Sequence, residues 1–182
     1  MADENEFELV NKFINGDENS FNKIVDEYQK KIYWHARRMV GNHDDADELT
    51  QQVIIVLYNK LKTFRFDSSL KTWIYKITLT RSLNFLKKKK VRNFFSLDEI
   101  KNQATQKGND IISNIEDKEK LQKLNSILDE LPIKQREIFV LRKFDDLSYE
   151  EISKITGKSV GGLKANYFHA SKKIFEKLKN YE

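Results

Sequence analysis

Ser148-Tyr149-Glu150-Glu151-Ile152-Ser153-Lys154-Ile155-Thr156-Gly157-Lys158-Ser159-Val160-Gly161-Gly162-Leu163-Lys164-Ala165-Asn166-Tyr167-Phe168-His169-Ala170 is the stretch from which the fold can be read. Ser148 followed by Glu151 is the pattern of a capping box, in which each side chain satisfies a free backbone N–H at a helix start. Ile152 and Ile155 give that short helix its buried side. Thr156-Gly157-Lys158 makes a tight turn. Ser159 then caps a longer helix, whose Leu163, Tyr167, Ala170, Ile174 and Leu178 recur at helical spacing. A short helix, a glycine turn and a longer helix form the layout of a DNA-reading helix-turn-helix. The second helix of such a unit lies in the major groove, so its outer face must carry groups that meet phosphates and base edges. Lys164, Asn166 and His169 fall on that face, with Lys172 and Lys173 further along, and Gly161 and Gly162 leave room for close approach to DNA. On geometry alone an ordinary helical hairpin with a basic solvated face fits too.

Working outward, Glu119 to Glu130 reads as a helix, and Leu131-Pro132 places proline in the first turn of the next one. That helix carries Ile138, Phe139 and Leu141 towards Phe144. Upstream, Arg92 to Asp117 is polar with weak periodicity. A structureless run of this length is uncommon inside a compact domain, so it reads as a flexible linker. The expected organisation is a helical block over residues 1–91, a linker over 92–117 and a second helical block over 118–182.

The first block repeats the helical pattern. Phe7, Val10 and Ile14 open a short helix that Gly16 ends. Phe21, Ile24, Val25, Tyr28 and Ile32 share one face of a helix from Glu18 to Val40, stopped by Gly41-Asn42. A third helix starts near Asp44, its acidic first turn matching the positive end of the helix dipole. Leu49, Val53, Val56 and Leu57 form its core stripe, with Ile54 and Ile55 partly outside it. A fourth runs from Leu70 to Lys90, with Trp73, Ile77, Thr80, Leu83 and Asn84 along one stripe.

The whole chain fits an all-α protein of two small domains. Its 182 residues include one proline and six glycines, 39% are hydrophobic and 34% are charged. A net charge of +5 and a pI near 9.1 suit a polyanionic partner. The absence of cysteine excludes disulfides and cysteine-ligated metals. The acidic start, Met1 to Glu6, is unlike a signal peptide. Val53 to Tyr58, the longest strongly apolar stretch, falls far short of the about 20 residues a membrane span needs. A cytoplasmic protein is expected, and no glycine-rich phosphate loop or metal-spaced histidine set suggests an enzyme or a cofactor.

The wording of the sequence narrows the reading. Leu131-Pro132 with Arg136, Leu141-Arg142, Leu147 to Ile152 and Ser159 to Lys164 closely resemble the fourth conserved region of RNA polymerase sigma factors of the extracytoplasmic-function (ECF) group. The resemblance implies that the recognition helix reads the upstream (−35) promoter element through Lys164, Ala165, Phe168 and His169, with Arg142 on a phosphate and Asn166 and Lys172 on the same face. The family usually has arginine where this chain has Asn166 and His169. Because arginine reads guanine bidentately and asparagine suits adenine, an A·T-leaning element is expected.

The first block resembles the same family independently. Gly16-Asp17, Phe21 and Tyr28 resemble the start of its second conserved region, Asp45 to Val53 its polymerase-binding helix, and Phe64 with Thr72 to Ile77 its promoter-opening segment. The resemblance implies contact between Asp47, Glu48, Gln51, Gln52 and Ile55 and the clamp of the polymerase largest subunit. The second-largest-subunit flap is implied as a further partner. Holding melted DNA needs rings for unstacked bases and cations for the backbone. Phe64, Trp73, Arg65, Lys71, Lys76 and Lys87 supply these. Phe66 and Tyr75 add rings, and the remaining lysines to Lys90 add charge. Read bottom-up, the rings could equally be core and the lysine run a solvated helix end. Thr80 and Asn84 stand where the family often has asparagine and aspartate, which alters the expected base preference of the downstream (−10) pocket. The family also implies an anti-sigma factor and no small-molecule substrate. The alternative is a free-standing helix-turn-helix regulator whose first block senses or dimerises, which leaves Asp45 to Val53 and the aromatic, basic fourth helix unexplained.

Overall fold

In the computed structural model, residues 4–95 and 115–179 are described. Among them the secondary structure is helical throughout: α1 (Glu4–Ile14), α2 (Glu18–Val40), α3 (His43–Leu61) and α4 (Leu70–Phe95), then α5 (Ile115–Asp129), α6 (Ile133–Lys143), α7 (Tyr149–Thr156) and α8 (Val160–Lys179). No described helix is long and apolar enough to cross a membrane.

The ends of the helices follow from local chemistry. The Asp17 carboxylate caps α2 by accepting from the Asn19 N–H, and the Asn42 side chain caps α3 by accepting from the Asp45 N–H at 2.8 Å. Gly41 ends α2 at φ 85° and its N–H returns to the Arg37 carbonyl, a left-handed stop that favours glycine. Pro132 sits one position earlier than expected. It precedes α6, and its carbonyl accepts from the Gln135 and Arg136 N–H groups at 2.8 and 3.0 Å.

The first four helices close over Val10, Phe13, Phe21, Ile24, Tyr28, Ile32, Val53, Leu57, Leu61, Phe64, Leu70 and Ile74. Each large side chain buried here contributes on the order of 1.5–3 kcal/mol. Beyond Ile32, α2 also buries His35, Ala36, Arg37, Met39 and Val40. The stripe expected for α4 is not its buried one. Ile74, Tyr75, Thr78, Leu79 and Ser82 are buried, whereas Thr80 and Asn84 are exposed and Trp73, Ile77 and Leu83 lie at the rim. The reason is that α4 faces two cores: Ile74 packs with α1–α3, and Tyr75 and Leu79 point to a second cluster.

The helix also continues to Phe95, past the boundary expected at residue 91. Lysine and arginine are good helix formers, and their charges are favoured at a helix C-terminus. α5 begins at Ile115, within the stretch expected as linker. The rest of that stretch, 96–114, lies outside the described residues.

Ile127, Leu128, Leu131, Phe139, Ala170 and Ile174 form a core within the second block. The second cluster against α4 joins the blocks: Ala36, Met39, Val40, Ala46, Leu49, Tyr75 and Leu79 pack with Ile138, Val140, Leu141, Leu147, Ile152, Ile155 and Leu163. Polar groups cross the same boundary. Arg136 donates to the Met39 carbonyl at 2.7 Å, to Asp129 Oδ1 at 2.8 Å and to the Asp129 carbonyl at 2.7 Å. It thereby satisfies a carbonyl in the last turn of α2, where the helix has no acceptor partner of its own. Burial draws its guanidinium below the usual range while Asp129 opposes this. Gly41 allows close approach here, because a Cβ at that position would lie 2.5 Å from Asp129 Oδ2.

Candidate nucleic-acid interface

The helix-turn-helix is built as its sequence requires. Ser148 accepts from the Glu151 N–H at 3.1 Å, and Glu151 accepts from the Ser148 N–H at 2.7 Å. Gly157, at φ 70°, ends α7 in the left-handed region. The Ser159 hydroxyl accepts from the Gly162 N–H at 3.3 Å and so opens α8. Ile152, Ile155 and Leu163 are buried beneath, which fixes the angle between the two helices.

The outer face of α8 is open. Lys164, Ala165, His169 and Lys172 are exposed, and Phe168 is 64% exposed. A Cβ on Gly161 would meet nothing within 4 Å, so backbone approach is unobstructed there. The Asn166 amide is turned back on its own helix, donating to the Gly162 carbonyl at 2.8 Å. That bond uses one Nδ2 hydrogen and leaves the second hydrogen and Oδ1 for other partners. Arg142 and Lys164 flank Tyr149, with the guanidinium 5.4 Å and the ammonium 5.8 Å from the ring centre. Arg142 also donates to the Leu147 carbonyl at 3.2 Å. The tyrosine ring thus holds two cations near one edge of the reading helix.

The residues expected to hold a melted strand are not all brought to one place. Phe64, Arg65, Trp73 and Lys76 line a cavity of about 420 Å³ together with Thr63, Asp67, Ser68, Thr72 and, from α7, Lys154. Phe64 itself is only 7% exposed. Its ring packs 4.7 Å from Phe66 and 5.0 Å from Trp73, so it is the cavity floor rather than a free stacking face. Trp73 remains at the rim. Ser69 accepts from the Thr72 N–H at 3.1 Å, pinning the entry to α4. Asn84 belongs elsewhere, in a groove of about 390 Å³ that includes Glu48, Gln52, Arg81, Lys88 and Lys89. There Lys89 pairs with Asp45 at 2.7 Å. Thr80 donates to the Lys76 carbonyl at 2.7 Å and Lys87 is exposed, while Lys71 is half-buried near Glu151 of α7.

On α3, Asp47, Glu48 and Gln51 are exposed and Gln52 is half-buried. Gln51 donates to Asp47 at 3.0 Å and Gln52 to Glu48 at 2.9 Å. Ile55 is 60% exposed, an apolar side chain in a polar row. Among the described residues no group of His, Cys, Asp and Glu could hold a metal ion. Lys154 was not anticipated at the strand cavity. Its own helix gives no sign of it, because the contact depends on how the blocks pack.

Known proteins give the same picture. The model for sigma-70 region 2 matches residues 24–92 and that for sigma-70 region 4 matches residues 121–174. The RNA polymerase sigma factor SigV of Bacillus subtilis is 33% identical over 149 residues, 81% of this chain and 84% of its own. The ECF RNA polymerase sigma-E factor of Escherichia coli is 33% identical over 177 residues, 93% of this chain and 92% of its own. In fold, the chain resembles the sigma factor RpoE crystallised with the anti-sigma factor NepR from Bartonella quintana, with a TM-score of 0.72 and 23% identity over 87% of this chain and 96% of that one. It also resembles CnrH in complex with the cytosolic domain of CnrY, with a TM-score of 0.74 and 18% identity over 98% of this chain and all of that one (100%). These relatives align across both blocks, which does not favour a lone helix-turn-helix joined to an unrelated sensing domain. The chain belongs to the extracytoplasmic-function group of RNA polymerase sigma factors.

Proposed function

We propose that this chain binds core RNA polymerase through the α3 row and directs it to promoters. Asp47, Glu48, Gln51, Gln52 and Ile55 meet the clamp of the largest subunit, and the second block meets the flap. Residues 1–91 open and hold the −10 element, with Trp73 stacking at the rim of the strand cavity, Arg65, Lys71, Lys76 and Lys87 along the backbone, and Thr80 and Asn84 further along α4. Residues 118–182 read the −35 element through Lys164, Ala165, Asn166, Phe168 and His169, with Arg142 and Lys172 on phosphates. The chain works in the cytoplasm and is not an enzyme, since the polymerase performs the synthesis. An anti-sigma factor covers its polymerase-binding faces when it is held inactive.

The observation that carries this reading is the pairing, in one chain, of an open basic recognition helix with an aromatic, basic cavity at a separate site. A repressor needs the first and has no use for the second. Run-off transcription with purified core polymerase and a genomic promoter library tests it. Start-site selection that appears only when the chain is added is expected. A chain that binds DNA but neither co-purifies with core polymerase nor selects start sites would overturn it.

A further inference from the structure

We propose that Phe7 and Phe66 form a prop behind the strand cavity, which holds Arg65 and Asp67 where they discriminate among unstacked bases. Both phenylalanines are positioning residues, and the inference rests on the strand-holding reading above.

Phe66 stands in an unusual backbone state. Its φ is 58°, in the left-handed region where the Cβ of an ordinary residue crowds the following carbonyl. A bulky aromatic residue there is an outlier, and the state persists only where the surroundings enforce it. The loop itself enforces little. Between the end of α3 and the start of α4, no backbone hydrogen bond among the described residues reaches Arg65, Phe66 or Asp67. What meets Phe66 is aromatic. Its ring centre lies 4.8 Å from that of Phe7 and 4.7 Å from that of Phe64, both favourable separations for ring pairs.

The Phe7 end of the prop is anchored. α1 buries Val10 and Phe13 in the first core, and the Tyr28 hydroxyl donates to Glu6 beside Phe7. Phe7 itself is 51% exposed, so burying its own surface is a weak reason for a ring at this position. Its contact is with Phe66.

The effect of the prop falls on the cavity. Phe64, Arg65, Asp67 and Ser68 line it, and Phe66 in their midst does not. The turn at Phe66 therefore puts a cation and an acid on one wall, beside the Trp73 ring. Asp67 is the one carboxylate among the lining residues. A carboxylate accepts hydrogen bonds and a guanidinium donates them, so a base edge meets a defined pattern only while their spacing is fixed. Stacking on a ring tolerates any base. Discrimination here depends on the Arg65 and Asp67 pair, and on what holds it.

The full chain bound to core polymerase is titrated with −10 single strands carrying each base in turn at every position, and with oligo-dT of equal length. Phe7→Ala should lower the best-to-worst base ratio at the most selective position about fivefold, with oligo-dT affinity within about twofold of the parent. Phe7→Leu, which keeps an apolar prop, should retain most of the ratio. Glycine adopts the left-handed region freely, so Phe7→Ala added to Phe66→Gly should lower the ratio no further than Phe66→Gly alone. In the free chain, 15N relaxation should show the Arg65 and Asp67 amides rigid in the parent, with order parameters of about 0.85, and below about 0.6 in Phe7→Ala. The Ile74 amide in α4 should not change. An unchanged ratio in Phe7→Ala, effects of the two substitutions that simply add, or unmoved order parameters would overturn the prop. If the order parameters fall but the parent itself shows no base preference, the prop stands as described, and it is the strand-holding role of the cavity that is lost.

Discussion

The Ser148 hydroxyl and the Glu151 carboxylate exchange hydrogen bonds with each other's backbone N–H across the first turn of α7. Burial works to raise the Glu151 carboxyl, but the bonds from the Ser148 N–H and hydroxyl hold it below the usual carboxylate range. A carboxyl held lower in the folded than in the unfolded chain stabilises the fold above its ordinary pKa. That contribution fades as pH falls through the folded value. Ser148→Ala should cost about 1 kcal/mol in urea unfolding at pH 7. Glu151→Gln should lose part of the acid dependence below about pH 4.5. An acid limb identical to the parent's would refute the assignment.

Lys172, exposed on α8, should act through phosphate charge rather than base identity. In Lys172→Ala, binding to −35 duplexes should weaken evenly across sequences. The slope of log affinity against log salt should shrink by about one unit. A changed sequence preference with an unchanged slope would contradict this role.

His169 and Asn166 should set sequence preference instead. Selection of binding sites from a random pool by His169→Arg should enrich guanine at one position relative to the parent, since a bidentate arginine discriminates by about 1–3 kcal/mol. An unaltered consensus would remove His169 from the reading face.

Trp73 and Phe64 should part company. Trp73→Ala, which removes a half-buried ring from the edge of the first core, should destabilise the fold less than Phe64→Ala and weaken binding of a −10 single strand by about 1–3 kcal/mol, the value of one stacked base. Phe64→Ala should destabilise the fold by about 3–5 kcal/mol. Thermal melts and strand titrations on the same samples separate the two.

Ile55→Asp should leave the melting curve within about 0.5 kcal/mol of the parent, as exposed changes generally do. Affinity for core polymerase should drop at least tenfold, on the scale of a contact worth more than 1 kcal/mol. Unchanged co-purification would show that the α3 row is not the docking face.

The signals that were legible in the sequence are those that act over one helical turn. Gly41, Ser148 with Glu151, and Gly157 each fix a helix end through their own backbone or a near neighbour, so residue type and spacing were enough. The core stripe of α2 as far as Ile32 and that of α3 were equally plain, because each is an unbroken helical repeat of apolar residues, whereas the burial of Ala36, Met39 and Val40 depends on the second block. α4 was misread because Ile74 and Tyr75 serve different cores, and a helix buried on two sides has no single stripe to find. Phe64 and Trp73 look alike in sequence, and only the packing of α1 and α4 puts one beneath the other. His35 and Asp145 were invisible as a pair. Their side chains meet at 2.6 Å although they lie 110 positions apart, and neither α2 nor the turn after α6 needs the other to form.

The oily seam that both halves contribute to has a cost at high concentration. Nothing obliges the second half of a molecule to fold back on its own first half, since any neighbour offers the same wall of Met39, Tyr75 and Leu79. Crowded or overexpressed chains have a route to exchanging halves and forming paired molecules in which every group keeps its partner. Severing the polypeptide between Phe95 and Ile115 would leave each piece with an unclothed greasy flank, prone to clump unless the two are mixed again.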